Sequence, residues 1–365
     1  MSESDVLVSR LGRLGHIRLN RPKALNSLTL EMVRRFARAL DEFGEDEGTI
    51  AVLVTGAGER GFCAGGDIRG LFEWRGAGEN PYKQFWREEY RLNARIASFP
   101  KPYVVLMDGI VMGGGVGVSA HGNRRLVTER TRLAMPETGI GYIPDVGATW
   151  LLTREREAGV YMGLSGATVG AADAIYAGLA DLCIDSGDIA RLISSLEHCA
   201  APQDVDAALL NVACAPGQSF LQEHRAILHE VMTHERIEDI IAALVFAGSA
   251  FAQEAARELQ RKSPTSLRLT HELLRRAKRS DSLENCLLRE FCVACALLDT
   301  NDLHEGVRAA IIDKDKSPNW SPATLAEVDD ATIAALLAGM EDAPPRFEPW
   351  ARLEPGGAWK ETRQA

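Results

Sequence analysis

Residues 109–145 read GIVMGGGVGVSAHGNRRLVTERTRLAMPETGIGYIPD, and this stretch sets the expectation for the rest of the chain. It opens on a short apolar run that leads into Gly113, Gly114 and Gly115, the pattern of a strand turning into a helix. Adjacent glycines let a backbone approach a ligand closely, and the first turn of a helix leaves N–H groups unpaired and pointing outward. Such donors suit an oxygen on which negative charge develops during acyl transfer. The stretch closes on two carboxylates, Glu137 and Asp145, each directly after a proline.

Working outward, residues 101–110 (KPYVVLMDGI) read as one buried strand that delivers the chain to the glycines. Residues 81–97 (PYKQFWREEYRLNARIA) predict a helix with Pro81 in its first turn and Phe85, Leu92 and Ile96 turned inward. Glu88 and Glu89 in its middle read, on charge alone, as a solvated face. Further upstream, residues 5–11 and 14–19 alternate as two strands about Gly12. Thr29 can cap a helix carrying Leu30, Val33, Ala37 and Leu40, and TIAVLVTG at 49–56 is a strand buried on both faces. The glycines at 56, 58 and 61 then form a GxGxxG after a strand. A dinucleotide-binding turn needs a helix to open at once, whereas FCAGGDI follows, so these glycines are expected only to permit a turn.

Downstream, the glycine-led helix is expected to end near His121 and Gly122. RLVTE and TRLAMPE predict two short strands, and GATWLLTRE starts a helix behind Asp145. This order of strand, glycine loop and helix is that of an α/β core. From residue 203 successive helical patterns take over, interrupted by Pro216 and Pro264. Three parts are expected: an α/β core over 1–202, a helical region over 203–343, and an irregular tail over 344–365 that is rich in proline.

Composition narrows the class. The chain has 365 residues, 46% hydrophobic and 25% charged, enough for a full globular core. Its formal charge of −10 opposes a broad nucleic-acid surface, though a few local cations suffice for a small anion. No apolar run approaches the ~20 residues that span a bilayer, and MSESDVLVSR shows neither a signal-peptide core nor an Arg-rich transit pattern, so a soluble cytoplasmic protein without membrane association is expected. The seven cysteines are odd in number and irregularly spaced, the mark of reduced thiols. Cys292 and Cys295 form a CxxC without a second pair, inside helical apolar spacing, so they are expected to pack and not to bind metal.

The segments RPKALNSL (21–28), FCAGGDI (62–68), GIVMGGGVG (109–117) and Pro136-Glu137 together resemble the crotonase (enoyl-CoA hydratase/isomerase) superfamily. WREEYRLN (86–93), MGGGVGVSAHG (112–122), AMPETGIGYIPDVG (134–147) and NDLHEGVRAAIIDKDKSPNW (301–320) resemble, within it, the 3-hydroxyisobutyryl-CoA hydrolase subfamily. The resemblance runs from about residue 20 to 320 and implies a spiral of ββα units followed by a C-terminal helical region. It implies that the amides of Gly66 and Gly114 form an oxyanion hole. It places coenzyme A, as part of the substrate and with no separate cofactor, against Lys23, Ala24, Leu25, Ala64, Asp67 and Ile68. Lys23 or Arg69 would meet phosphate.

The same resemblance separates two chemistries. Hydratases of the superfamily use one glutamate just after the triple glycine and one in the Pro-Glu motif, and here the first position is Gly117. Eight residues beyond Glu137, where hydratases commonly carry glycine, stands Asp145. That pattern implies thioester hydrolysis. Glu137 would act as nucleophile or general base, Asp145 would orient water or substrate and share protons, and Glu89 would contact the acyl hydroxyl. The implied substrate is a short 3-hydroxyacyl-CoA, 3-hydroxyisobutyryl-CoA of valine breakdown. A hydratase or isomerase on the same scaffold, and an acyl-CoA-binding protein without turnover, are the rivals. Superfamily members often form trimers or hexamers, so a homo-oligomer stays open.

Overall fold

The computed structural model describes residues 4–73, 80–339, 343–348 and 350. Val6–Leu11 (β1) and Leu14–Leu19 (β2) pair antiparallel, with Gly12 left-handed at the turn (φ 55°). Helix Leu30–Glu45 (α1) begins where the Thr29 hydroxyl accepts the Met32 N–H at 3.3 Å. It buries Val33 and Leu40 as its spacing predicts, and Met32, Phe36 and Phe43 beside them. Ala51–Gly56 (β3) runs parallel to β2, and Gly61–Cys63 (β4) follows. A strand therefore follows the GxGxxG glycines. Helix Pro81–Ala97 (α2) has the predicted bounds, with the Asn80 side chain accepting the Tyr82 N–H at 3.0 Å.

The expected single strand over 101–110 is two strands in two sheets. Tyr103–Met107 (β5) pairs with β3, the chain turns through Asp108-Gly109, and Ile110–Met112 (β6) pairs with β4. Apolar composition is continuous across the break, so hydrophobicity alone hides it. The glycine-led helix is also shorter than expected: Gly114–Gly117 (α3) is a single turn, followed by a tight turn through His121. Arg124–Thr128 (β7) and Arg132–Ala134 (β8) repeat the pattern, β7 beside β5 and β8 beside β6. Leu182–Ile184 (β9) and Ala213–Cys214 (β10) complete the larger sheet, whose order is β1-β2-β3-β5-β7-β9-β10. The smaller sheet is β4-β6-β8, all parallel. Each ββα unit thus places its first strand in one sheet and its second in the other, the architecture the resemblance implied.

Strand alternation sorts the core. Val52, Val54, Val105 and Met107 face one side of the large sheet, and Ala51, Leu53, Val104 and Leu106 the other. The latter are covered by helices Ile189–Glu197 and Pro202–Leu210, through Leu192, Leu196, Val205 and Leu209. The former join a core that continues into the C-terminal helices, among them Pro264–Lys278 (α5), Leu283–Leu297 (α6) and Asn301–Val307 (α7); the short helix Ala148–Leu151 (α4) lies between β8 and these. Residue 203 falls in the first turn of Pro202–Leu210. Cys292 and Cys295 both lie on α6, and Cys295 packs in the core. Of the tail, residues 344–348 and 350 are described: Trp350 donates from Nε1 to the Arg95 carbonyl at 2.9 Å and packs edge-on against Phe99. The remainder of the tail lies outside the described residues.

Candidate active site

The three parallel strands of the small sheet bring the site together. Gly65-Gly66 leaves the carboxyl end of β4, Gly113-Gly114 that of β6, and Pro136-Glu137 follows β8. Ligands of open α/β structures gather in the crevice outside such strand ends. Because β4 and β6 are hydrogen-bonded neighbours, their two glycine exits lie side by side: a Cβ built on Gly114 would stand 3.4 Å from the Gly66 nitrogen. Neither amide donates a backbone hydrogen bond among the described residues. Two adjacent free N–H groups at strand exits are the geometry an oxyanion requires, and each such donor is worth ~3–4 kcal/mol of barrier. A Cβ on Gly114 would also run into Glu89 Oε1, so a larger residue there would displace that carboxylate.

Three carboxylates gather near this point from three segments, and a fourth is bonded to the turn that follows Asp145. Glu89 comes from α2, where it is 2% exposed, so the solvated-face reading fails for it; Glu88 alone faces outward, in a bidentate pair with Arg34. Glu137 opens a 3-10 turn, Glu137–Ile140, with Oε1 3.0 Å from where a Gly113 Cβ would be. That turn is fixed from two sides: the Ser263 N–H of the C-terminal half donates to the Thr138 carbonyl at 3.1 Å, and Thr138 Oγ1 donates to the Leu164 carbonyl of the core at 3.0 Å. Asp145 is 5% exposed and accepts through Oδ2 from Tyr90 Oη at 2.6 Å and Tyr142 Oη at 3.2 Å. Trp86 stacks on Tyr142 with centroids 5.4 Å apart, which immobilises that donor. Glu290, from α6, is the fourth.

Electrostatics set these groups apart. Burial holds Glu137 well above the usual carboxylate range, and the Asp145 charge adds to it. Glu89 is raised likewise, by burial first and Asp145 second. Asp145 itself is raised only to about 6, because the Tyr90 and Tyr142 hydroxyls stabilise its ionised form against burial. Asp145 is therefore the member that ionises most readily, and Glu137 and Glu89 hold their protons more tightly. Glu89 Oε1, Glu137 Oε2 and both polar atoms of Asn93 are buried without a hydrogen-bond partner among the described residues. Such groups are costly unless a ligand completes them, which marks this as the polar end of a binding site.

The predicted coenzyme A segments are also brought together. Lys23 is exposed on the 3-10 turn Pro22–Ala24, the Leu25 carbonyl accepts the Ala64 N–H at 3.0 Å, and the Leu28 carbonyl accepts the Asp67 N–H at 2.9 Å. The Asp67 carboxylate is occupied by Arg21 at 3.1 Å and its carbonyl by Tyr82 Oη at 2.8 Å; Ile68 is half-buried and Arg69 exposed. Sequence reasoning missed the residue that holds this loop. Asn26, wholly buried, donates to the carbonyls of Ala57, Gly61 and Phe62 and accepts the Arg21 N–H. It missed Tyr90 and Tyr142 as well; a tyrosine three residues before Asp145 and one directly after Glu89 were the available signals.

Gly117 has its own explanation. A Cβ there would meet Val146 Cβ at 2.7 Å and Asn93 Nδ2 at 2.9 Å. The space a second glutamate would need is filled by Val146 and Asn93. Gly117→Glu is accordingly expected to lose stability by ~1–3 kcal/mol or more, as overpacked cores do, without gaining hydration of crotonyl-CoA. Thermal melting and loss of enoyl absorbance measure the two outcomes.

A family model described as enoyl-CoA hydratase/isomerase matches residues 14–337, and the chain belongs to that family. Among its curated relatives, the mitochondrial 3-hydroxyisobutyryl-CoA hydrolase of Danio rerio is 40% identical over 347 residues, 93% of this chain and 91% of the fish protein. The Homo sapiens protein of the same name is 40% identical over 337 residues, 90% and 87% of the two chains. Among solved structures, one described as a carnitinyl-CoA dehydratase from Mycobacterium thermoresistibile superposes with a TM-score of 0.89 at 46% identity, covering 95% of this chain and 99% of that one. One described as an enoyl-CoA hydratase from Rhodobacter sphaeroides gives 0.85 at 39% identity, covering 92% and 98%.

Proposed function

We propose that this protein hydrolyses a short 3-hydroxyacyl-CoA thioester, 3-hydroxyisobutyryl-CoA, to the free hydroxy acid and coenzyme A. The observation that carries the reading is the pairing of Glu137 with an ionised, tyrosine-held Asp145 across a site where Gly117 is sterically closed to a second glutamate. The names of the relatives at about 40% identity support it. The thioester oxygen would sit between the Gly66 and Gly114 amides, with the coenzyme A chain along residues 23–25 and 64–68 and the acyl hydroxyl toward Glu89. Hydrolysis needs an ionised carboxylate, to take a proton from the attacking water or to attack itself, and an acid to protonate the departing thiolate. The ionised Asp145 would first accept the Glu137 proton, which frees Glu137 to act, and would then give that proton to the thiolate.

A second reading, hydration or dehydration, is favoured by the descriptions of the two solved relatives. The assay that separates them follows free thiol and enoyl absorbance together. Thiol release from 3-hydroxyisobutyryl-CoA with no change on crotonyl-CoA is the expected result. Enoyl loss from crotonyl-CoA without thiol release would overturn it, and tight acyl-CoA binding with neither would leave a binding protein. A place in valine breakdown and a cytoplasmic location belong to this proposal; the vertebrate relatives are named mitochondrial. Homo-oligomerisation is carried with it as an open assembly state.

A further inference from the structure

The loop that presents Asp145 is strained. Val146 has φ 55° and Gly147 φ 78°, so two consecutive residues occupy the left-handed region, and the first is β-branched. A β-branched residue there is a true outlier that persists only where its surroundings over-determine it. Two buried side chains do so. His121 contacts the Val146 carbonyl through Nε2 at 2.7 Å; burial lowers its pKa to about 4, so the ring is neutral and Nε2–H is the donor. Glu290, fully buried on α6, accepts the Gly147 N–H at 2.6 Å, the Thr149 N–H at 3.0 Å and Thr149 Oγ1 at 2.5 Å.

The site already described does not use Glu290. An acidic side chain buried with no cation paired to it among the described residues needs a reason. Burial pushes its pKa up to about 8, the three donors oppose that, and the Asp145 charge adds to it. The titratable groups that interact with it are Asp145, Tyr90 and Cys286. Its carboxyl ties the amides on either side of Ala148 to α6 and closes the turn that carries Asp145 toward the Tyr90 and Tyr142 hydroxyls.

We infer that Glu290 is a positioning residue for the reaction: it holds the strained Val146-Gly147 turn, and so sets where the Asp145 carboxylate stands relative to Glu137 and the oxyanion amides. The inference rests on the thioesterase reading for its kinetic arm only. The C-terminal helices then belong to the catalytic apparatus, because α6 delivers the clamp.

The test is a double-mutant cycle of Glu290→Gln with Asp145→Asn. Glu290→Gln keeps one acceptor oxygen and the side-chain volume. It is expected to lower kcat for thiol release ~10–100-fold with KM changed less than about threefold, since the coenzyme A segments lie on other elements. In the Asp145→Asn background the same substitution is expected to change kcat less than about threefold, because its effect runs through Asp145. A residue that merely holds the fold would multiply the losses, and that result, or an unchanged kcat in Glu290→Gln alone, overturns the inference. Absence of turnover in the natural protein counts against the proposed function instead. The positioning role is then read from melting at pH 8, where the effect of Asp145→Asn on Tm is expected to shrink by at least half in Glu290→Gln. An unchanged effect overturns the inference. Should Glu290→Gln not fold, Thr149→Val removes one of the three donors, and the same loss of additivity with Asp145→Asn is expected at smaller size.

Discussion

Glu137→Gln is expected to lower thiol release from 3-hydroxyisobutyryl-CoA at least ~10³-fold while acyl-CoA still binds. The substitution is nearly isosteric, so the 3-10 turn held by Ser263 and Leu164 stays in place. What it removes is the group that can both hold a proton and give it up beside the oxyanion amides. An amide is neither a base nor a nucleophile of use at neutral pH. Binding should change little, because the segments proposed for coenzyme A, over 23–25 and 64–68, are held by Asn26 and Arg21, not by Glu137. Stopped-flow thiol detection, paired with equilibrium binding of a non-hydrolysable acyl-CoA thioether, measures both. Full turnover in Glu137→Gln would remove the mechanism.

Asp145→Asn should show two opposite effects. Activity falls by orders of magnitude, since the carboxylate of the group that ionises most readily is gone. Stability at pH 8 rises. The native pKa of Asp145 is raised to about 6 against 3.8 for a free aspartate, so the folded state binds the proton more tightly than the unfolded chain. Below about pH 3.8 both states hold it. Between 3.8 and 6 the unfolded chain alone releases it, stability falls as pH rises, and above 6 the loss is complete at about 3 kcal/mol. Asparagine carries no such penalty and its carbonyl oxygen can still accept from Tyr90 and Tyr142. Melting curves from pH 4 to 8 are expected to be flatter for the variant across the 4–6 window and higher at pH 8. A lower Tm than the natural protein at pH 8 would show that Asp145 is stabilising as an anion. The trade is a common one at active sites, where a group kept in an unfavourable state for chemistry weakens the fold.

Much of this was legible in the sequence, and the limits are physical. Pro81 at a helix start gave α2 its bounds, and Thr29 placed the start of α1, because caps are local. The motifs around Gly66, Gly114, Glu137 and Asp145 pointed to segments that the small sheet does gather at one edge. That sheet itself was not legible. β6 continues the apolar run of β5, and only Asp108-Gly109 marks the transfer between sheets. Charge alone gave Glu89 a solvated face, and only the resemblance pointed it toward substrate, because its neighbour Gly114 is 25 positions away in sequence and in contact only after folding. Glu290 carried a readable sign: it falls on the buried face of α6 with Cys286, Leu287 and Ala294. An acid on an apolar helix face announces a partner without saying which.

The clamp from Glu290 to Gly147 closes over 143 residues of chain. Contacts of such separation form late, since loop-closure entropy must be overcome before they contribute, and long-range topology slows folding. On the ribosome the β4-β6-β8 sheet can assemble with its oxyanion amides and Glu137 long before α6 emerges. Synthesis therefore passes through a stage at which the glycine exits of the small sheet can be in place while the Asp145 turn is held by His121 alone, and its second clamp arrives only with residue 290.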